Sequence, residues 1–535
     1  MHVQDFSMST AQPSLPPPNF PPPLVFDADI LNLSYQRSDV VEKALILPRR
    51  PSTDLLSFDR SNNAYMLYGI RQRQEMVIST MLPPKRYPSV IRKLRFTFLT
   101  VYRRVFTLVV FLNLIPLVII LQQDPVTLDT LATAASTNFL IAILIRHDLI
   151  INGIFRTAWL VPWRVPLPIR RWMAKCYCYG GIHSGAAVVG TAWWVAFSVI
   201  LTMQMDKRGF SLPLLINSWT VLAILTAVIL LALPGFRKRH HNVFELTHRF
   251  LGWTCILLFW AQLLLVVDHT TSPTHFLSTL FQTPTFWNLT CMTALTLHPW
   301  LRLRTWVFHP TVLSPHAIRL HFTNRVHKFS CLSISTSPLR EWHPFATFPT
   351  TSAKTPTADP QPSMSIIISD AGDWTHRLIR HAHTLETQRN HAPEGAPQTH
   401  MRLWVKQTPI PGVLSLTTLF PRVLLITTGS GIGPCLSSLL DRPPAQFVRL
   451  IWSTRSPLGT YGAALLSDVY AADPDALIVD TDAEGRPDLV RMGYALFRAV
   501  RAEAVFVLSN EKVTREVVYG LRCRGVSAFG PIFDS

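Results

Sequence analysis

The 535-residue sequence predicts a multi-domain protein: a six-helix transmembrane bundle, then a small antiparallel β-barrel, then an α/β parallel-sheet domain. Three observations predict this architecture. Six apolar runs near spanning length fill residues 100–300. Short alternating strands follow from Thr311. After Arg422, a strand, a glycine turn and a helix begin a regular alternation of strands and helices. Composition agrees, with 48% apolar residues and 15% charged, yet a formal net charge of +18. Low charge density with surplus positive charge points to a membrane protein with a basic cytoplasmic face; a nucleic-acid binder is the competing class. The seven cysteines show no CxxC spacing, so neither a zinc site nor a disulfide scaffold is expected.

The N-terminal region reads as a tail. Residues 1–24 hold no basic segment leading into an apolar one, so no signal peptide is expected. Seven prolines fall among the eleven residues Pro13 to Pro23, which predicts an extended, solvated stretch. The expected domains are a disordered Pro-rich cytoplasmic tail over 1–95, helices over 96–305, the barrel over 306–418 and the α/β domain over 419–535. A Pro/Thr-rich insert from Thr350 to Pro362 and a His-rich tract from His381 to His400 read as surface loops.

The apolar runs lie at about 103–122, 126–145, 177–201, 214–233, 246–267 and 283–300. Charge placement sets their expected orientation. Eighteen Lys and Arg flank the runs on one side and two, Lys207 and Arg208, on the other. That asymmetry places both termini in the cytoplasm of a multi-pass protein and explains much of the net charge without nucleic acid. The second connecting segment carries Trp159, Trp163 and Trp172 among prolines and arginines, which suits an interfacial position.

Two of the runs contain histidine at matched depth. His183 lies early in the third run and His248 early in the fifth, and these runs point the same way. Ionisable groups in spanning helices usually have a function. Two imidazoles so placed fit the axial positions of one haem iron, with Gly180, Gly181, Ser184, Gly185 and Gly252 leaving room for the macrocycle. The plainer alternative is that each imidazole bonds a neighbouring helix or meets headgroups.

In the last third, Val423–Thr428 is a strand, Gly429-Ser-Gly431-Ile-Gly433-Pro434 a turn and Cys435–Leu440 a helix. Glycines here let backbone approach a pyrophosphate, and the helix N-terminus favours anions, so this is read as an α/β parallel-sheet nucleotide-binding domain. Further strands are expected at Phe447–Trp452, Ala476–Val479 and Val505–Leu508. Arg455, after the second sheet strand, is placed either to meet a 2′-phosphate, favouring NADPH over NADH, or simply to face solvent.

The ordered set of motifs resembles the ferric reductase and NADPH-oxidase superfamily. His248-Arg-Phe-Leu-Gly252 looks like that family's fifth-helix haem motif, and His343-Pro344-Phe345 like its flavin-binding His-Pro-Phe-Thr. Gly372-Asp-Trp374-Thr375 and Gly485-Arg486-Pro487 are similar to its flavin-side and nucleotide-side segments. The resemblance implies FAD beside Phe345 and a neighbouring hydroxyl; Ala346 stands in that place here, with Thr347 one residue on. It implies a terminal aromatic over the flavin, for which Phe533 is the candidate, a packed C-terminal anchor being the alternative. Relatives carry a second histidine about thirteen residues along each haem helix. Here those places hold Ala196–Phe197 and Ala261–Gln262, so one b-type haem is expected, not two. Relatives also have Cys-Gly-Pro after the last strand, where this chain has Leu508-Ser-Asn510.

A closer resemblance is to the membrane-reductase half of fungal transmembrane adenylate-forming proteins, on the Gly429–Cys435 string and the Gly530-Pro-Ile-Phe-Asp-Ser535 terminus. This implies the reductase part alone, with an adenylate-forming enzyme as partner. The implied function is a membrane flavo-haem oxidoreductase. It would pass electrons from NAD(P)H through FAD to one haem and an intracellular or in-membrane acceptor. The alternative is a degenerate nucleotide-binding membrane scaffold or sensor. Membrane lipid and nicotinamide nucleotide are the expected partners, and nucleic acid is not.

Overall fold

The computed structural model describes residues 81–122, 126–350, 364–391 and 400–533. The proline-rich stretch, the insert over 351–363 and residues 392–399 lie outside them.

All six apolar runs are helical. In chain order the helices are Val101–Leu112 (α1), Leu114–Leu121 (α2), Leu128–Leu144 (α3), Asp148–Trp159 (α4), Gly180–Arg208 (α5), Leu212–Leu231 (α6), His241–Thr270 (α7) and Pro284–Leu301 (α8). Four stretches are long and apolar enough to cross a membrane: Val101–Ile120, Cys176–Asp206, Leu212–Leu231 and His241–Thr270. The second run reaches that standard only if α3 is joined to α4, and the two are bent by 64°. The sixth run forms α8 but carries Asn288, His298 and Pro299, which dilute its apolarity.

The helices share one core, in which Phe139, Trp194, Phe197, Phe259, Leu289 and Met292 interlock. Polar side chains tie it across helices. Asn113, between α1 and α2, accepts from Asn138 Nδ2 at 2.8 Å and from Trp193 Nε1 at 3.1 Å. Buried polar groups in such a core need partners, so this hub fixes three helices at once.

α4 does something different. Its Ile151, Phe155 and Ala158 are buried in one cluster with Leu416, Leu419 and Phe420 of the following domains. Trp163 Nε1 donates to Thr418 O at 2.7 Å, and Trp159 packs on Phe329. Only Trp172 of the three expected interfacial tryptophans is largely exposed, at 70%. The second connecting segment is therefore mainly a docking element for the domains that follow.

The barrel begins earlier than expected, with Leu303–Ser314 (β1) running straight on from α8. Pro310 and a mixed burial pattern hide its alternation in the sequence. Then come Ala317–Phe322 (β2), Ser330–Ser335 (β3), His343–Ala346 (β4), Phe348–Pro349 (β5), Met364–Ser369 (β6), Met401–Lys406 (β7) and Ile410–Pro411 (β8). The strand order is β4-β3-β7-β1-β2-β6-β5, with β8 on β3. β4 and β5 are adjacent in the chain, so residues 343–349 bridge the two edges and nearly close the sheet.

The His-rich tract corrects an expectation. Its first part is helical, within Asp373–Asn390 (α9), not a loop. Trp374, Leu378, Ile379 and Ala382 form a buried stripe at helical spacing. Histidines on the other face mask that period.

The α/β domain follows its expected order: Arg422–Thr428 (β9), Ile432–Leu440 (α10), Phe447–Thr454 (β10), Pro457–Ala472 (α11), Leu477–Asp480 (β11), Leu489–Ala499 (α12), Ala504–Leu508 (β12), Glu511–Arg522 (α13) and Ala528–Phe529 (β13). All strands are parallel, in the order β11-β10-β9-β12-β13. The chain reverses its direction of winding between β9 and β12. The crevice beyond their C-terminal ends is where such sheets bind ligands.

Candidate functional site

His183 and His248 face each other between α5 and α7, with ring centroids 6.1 Å apart. Two imidazoles on one metal would have centroids roughly 6 Å apart, from metal–nitrogen bonds of about 2 Å plus the ring radii. His183 Nδ1 lies 2.8 Å from Ala142 O. That bond makes Nδ1 the donor and leaves Nε2 as the atom free to ligate. His248 Nδ1 is buried without a hydrogen-bond partner. The donor set of two imidazoles fits an axial pair on haem iron. It does not fit a structural zinc, because no cluster of three ligating side chains exists among the described residues.

The small residues near the pair have another task than the expected one. A Cβ on Gly181 would lie 2.4 Å from Tyr102 O, and one on Gly185 3.1 Å from Phe106 O. Ser184 Oγ bonds Tyr102 Oη at 2.6 Å. Gly181, Ser184 and Gly185 therefore seat α1 against α5, the close approach that small residues permit in apolar bundles. Gly252 faces open space.

The outer places are filled. Phe197 is 1% exposed and stacks with Trp194, which meets Phe259 edge-on. Gln262 Oε1 accepts from Asn217 at 2.6 Å. The cavity among these residues measures about 40 Å³, far below the roughly 300–1,000 Å³ of small-molecule sites.

Toward the barrel, α7 carries His241, Phe244 and His248 on one face, at spacings of three and four. Phe244 lies 5.3 Å from His248 by ring centroids. Arg237, in the short helix Pro234–Arg239 before α7, sits over Phe244 and donates to Phe533 O at 3.0 Å. The half-buried Phe533 is thus tethered beside the start of α7. Arg237, His241 and Phe244 escaped the sequence reading, although their spacing from His248 was visible.

On the barrel, His343 and Phe345 point to one face of β4, and Trp374 stacks on His343 at 4.2 Å. Burial pushes the His343 imidazole below its ordinary value, with Glu341 opposing and His241 and Arg377 adding. Its Nε2 is buried without a partner, an orphaned polar atom that a bound phosphate or flavin edge would satisfy. Pro344 is exposed beside it. Thr375 Oγ1 accepts from the backbone N–H groups of Ala371 and Gly372 and so shapes the entry to α9. Thr347, the expected neighbouring hydroxyl, is fully buried and donates to Ser330 O at 3.2 Å. It is committed to the barrel wall, because residue 347 falls in the break between β4 and β5, outside the alternation that His343 and Phe345 share.

α10 packs directly against β4 and β5, which brings the glycine turn to the flavin-type segment. Gly429 has φ +52°, a left-handed conformation suited to glycine, and its carbonyl accepts from Trp452 Nε1 at 2.9 Å. A Cβ on Gly431 would lie 2.2 Å from Thr427 Oγ1 and 2.8 Å from Leu508 O. Gly431 is therefore required by the sheet itself, apart from any ligand. Gly433 abuts Ile367 of β6, and Pro434 sits in the first turn of α10, where its missing N–H is harmless. Burial pushes the Cys435 thiol up to about 12, so it is no nucleophile.

Ser509 stands across the crevice mouth and hydrogen-bonds Thr428. Arg455 is exposed just beyond β10, and Gly485-Arg486-Pro487 lie in the loop after β11. Asp480 and Asp482 hold Ser456 between them at 3.0 and 2.9 Å. Those two carboxylates were not anticipated.

Known proteins resemble this chain in the same order. Residues 413–535 match the family described as adenylate-forming reductase 03009, C-terminal domain. The chain is 36% identical over 458 residues to adenylate-forming reductase 06235 of Coprinopsis cinerea, covering 85% of this chain and 42% of that protein. It is 35% identical over 458 residues to adenylate-forming reductase 03009 of the same organism, with the same coverage. The chain thus spans less than half the length of these curated relatives. Among solved structures it is similar to a flavohemoglobin from Malassezia yamatoensis with bound FAD and heme, at TM-score 0.33 and 14% identity over 72% of this chain and 98% of that one. A ferredoxin-NADP+ reductase from Plasmodium falciparum with 2′P-AMP aligns at TM-score 0.29 and 11% identity over 43% and 96%.

Proposed function

We propose that this chain is the electron-transfer part of a membrane reductase, taking reducing equivalents from NAD(P)H toward one haem held by His183 and His248. The observation that carries this reading is the imidazole pair itself, spaced for one metal, on a helix whose Arg249 donates to the Leu339 and Arg340 carbonyls ahead of β4. The exposed apolar side of α1 and α2, with Leu108, Phe111, Ile115 and Val118, supports a lipid environment. The basic flanks of the helices support a cytoplasmic position for the barrel and sheet. FAD, when bound, accepts a hydride and releases electrons singly, which haem accepts one at a time.

The chain's own residues have separate tasks. His343, Phe345 and Trp374 bind and orient a flavin, and Phe533 screens it from water. Gly429, Gly433 and the start of α10 receive a pyrophosphate, and Arg455, with Arg486 nearby, selects NADPH. The aromatic face of Phe244 fills the space between flavin side and haem side and excludes water. The relatives' names make an adenylate-forming enzyme a candidate partner.

Purified in detergent, the full chain should show dithionite-reduced haem bands and releasable flavin. Colourless protein overturns the reading. A sensor without turnover remains the second reading, favoured by the Thr428–Ser509 hydrogen bond across the crevice and by the inert Cys435. NADPH bleaching of the flavin rejects the sensor; nucleotide binding without bleaching establishes it.

A further inference from the structure

The described cations are not spread evenly. Arg86, Arg95, Arg104, Arg171, Lys175 and Arg522 line one cavity of about 310 Å³, and among the described residues no Asp or Glu lines it. They come from four separated segments, so only the fold brings them together. They are close enough to repel: burial first, then Arg522, Arg104 and Arg95, push the Lys175 ammonium below its ordinary value. Arg171 Nε is buried without a hydrogen-bond partner. The nearest carboxylate, Glu503, is held by Arg170 at 2.6 Å. Glu503 also attracts Arg171, but it is shared with Arg170; six like charges around a half-buried space with so little counter-charge are unfavourable unless an anion joins them.

The cavity is separate from the nucleotide crevice. Its residues Gly525–Phe529 lead into β13, and Arg171 reaches Glu503, just before β12. Both mark the N-terminal end of the parallel sheet, whereas the glycine turn lies at the C-terminal end. The rim also holds Thr100 and Val101, where α1 starts. Beside it Val90, Ile91, Leu94 and Phe98 are exposed on one face of the short helical segment Ser89–Phe98. A basic cavity with uncovered apolar side chains at the foot of a spanning-length helix has the form of a headgroup site with room for acyl chains.

We propose that this cavity binds the phosphorylated headgroup of an anionic membrane lipid, tying α1 to the sheet domain at the membrane surface. The guanidinium groups offer forked donors to phosphate oxygens, and several cations together match a phosphomonoester carrying about two negative charges. The inference rests on the reading that α1 crosses a membrane; resistance of the chain to alkaline carbonate extraction checks that reading separately.

The test uses the full chain in phosphatidylcholine mixed micelles, with fluorescent phosphatidylinositol 4-phosphate as probe. Binding at least about tenfold tighter than that of fluorescent phosphatidylcholine is expected. Arg95→Gln/Lys175→Gln should weaken it about tenfold or more. Lys93→Gln/Arg103→Gln, an equal charge change outside the cavity, should weaken it less than about twofold. Arg95→Lys/Lys175→Arg should retain binding, which separates lost charge from a damaged fold. Equal losses in the two glutamine pairs, or no preference between the lipids, overturn the proposal. Inositol 1,4-bisphosphate binding as tightly as the lipid makes this a free-phosphate site and overturns the lipid assignment.

Discussion

The two ends of the helical unit are built from the same helices and do opposite things. At the inner end α5 and α7 bring His183 and His248 together, ring centroids 6.1 Å apart, with His183 Nδ1 on the Ala142 carbonyl. Some thirteen residues outward, about 20 Å along a helix, Trp194, Phe197, Phe259 and Gln262 close the core. The inner end is also where Phe244, Arg237 and Phe533 connect to the other domains. The same helix pair thus presents two imidazoles at one level and interlocked aromatic rings at the other. In the proposed reading, that contrast corresponds to one haem level, not two.

The sharpest way to break the comparison is at the imidazoles. His183→Leu and His248→Leu should each abolish the reduced haem spectrum, while Phe197→Ala should leave it intact. Haem loss in all three would mean that both ends serve one site. Phe197→Ala should instead lower stability by about 3–5 kcal/mol, since a fully buried aromatic leaves a cavity. The thermal midpoint in detergent measures this, and a drop as small as that of an exposed Leu257→Ala control would deny the outer end its structural role.

Next in size is the docking contact at the inner end. Arg170→Ala removes a buried guanidinium that holds Glu503 and the Leu419 carbonyl. Stability should fall by about 2–3 kcal/mol, because the carboxylate loses its partner while partly buried. Protease sensitivity of the sheet domain should rise with it.

The smallest effect separates the barrel from both ends. Burial lowers the His321 imidazole to about 4, with Arg319 and His309 contributing and Asp468 opposing. The folded barrel therefore keeps His321 neutral, while the unfolded chain takes up a proton below about 6.5. Stability is complete above that value and declines as pH falls toward 4, by up to about 2 kcal/mol at pH 5. His321→Gln should flatten this slope in an acid titration of the barrel's unfolding and leave the haem bands unmoved.

Element order was readable because its signals are local. Run length, turn glycines and helix stripes marked the helices, β9 to β12, and both histidines. Other features were hidden for identifiable reasons. β1 has no clean alternation, α9 is disguised by its histidines, and Thr347 falls in the break between β4 and β5, where the alternation is lost. Gly181 and Gly185 looked like space for a macrocycle but are the seat of α1.

Chain-local chemistry was thus sufficient for the order of helices and strands and for the pair of facing imidazoles, since each depends on residues within a few turns. Partnerships between distant segments were not. That Gly431 serves the sheet, that α4 docks on later domains, and that six cations from four segments share one cavity depend on which surfaces the fold brings together. Those meetings are set by burial and close packing across hundreds of residues, which no short window of sequence contains.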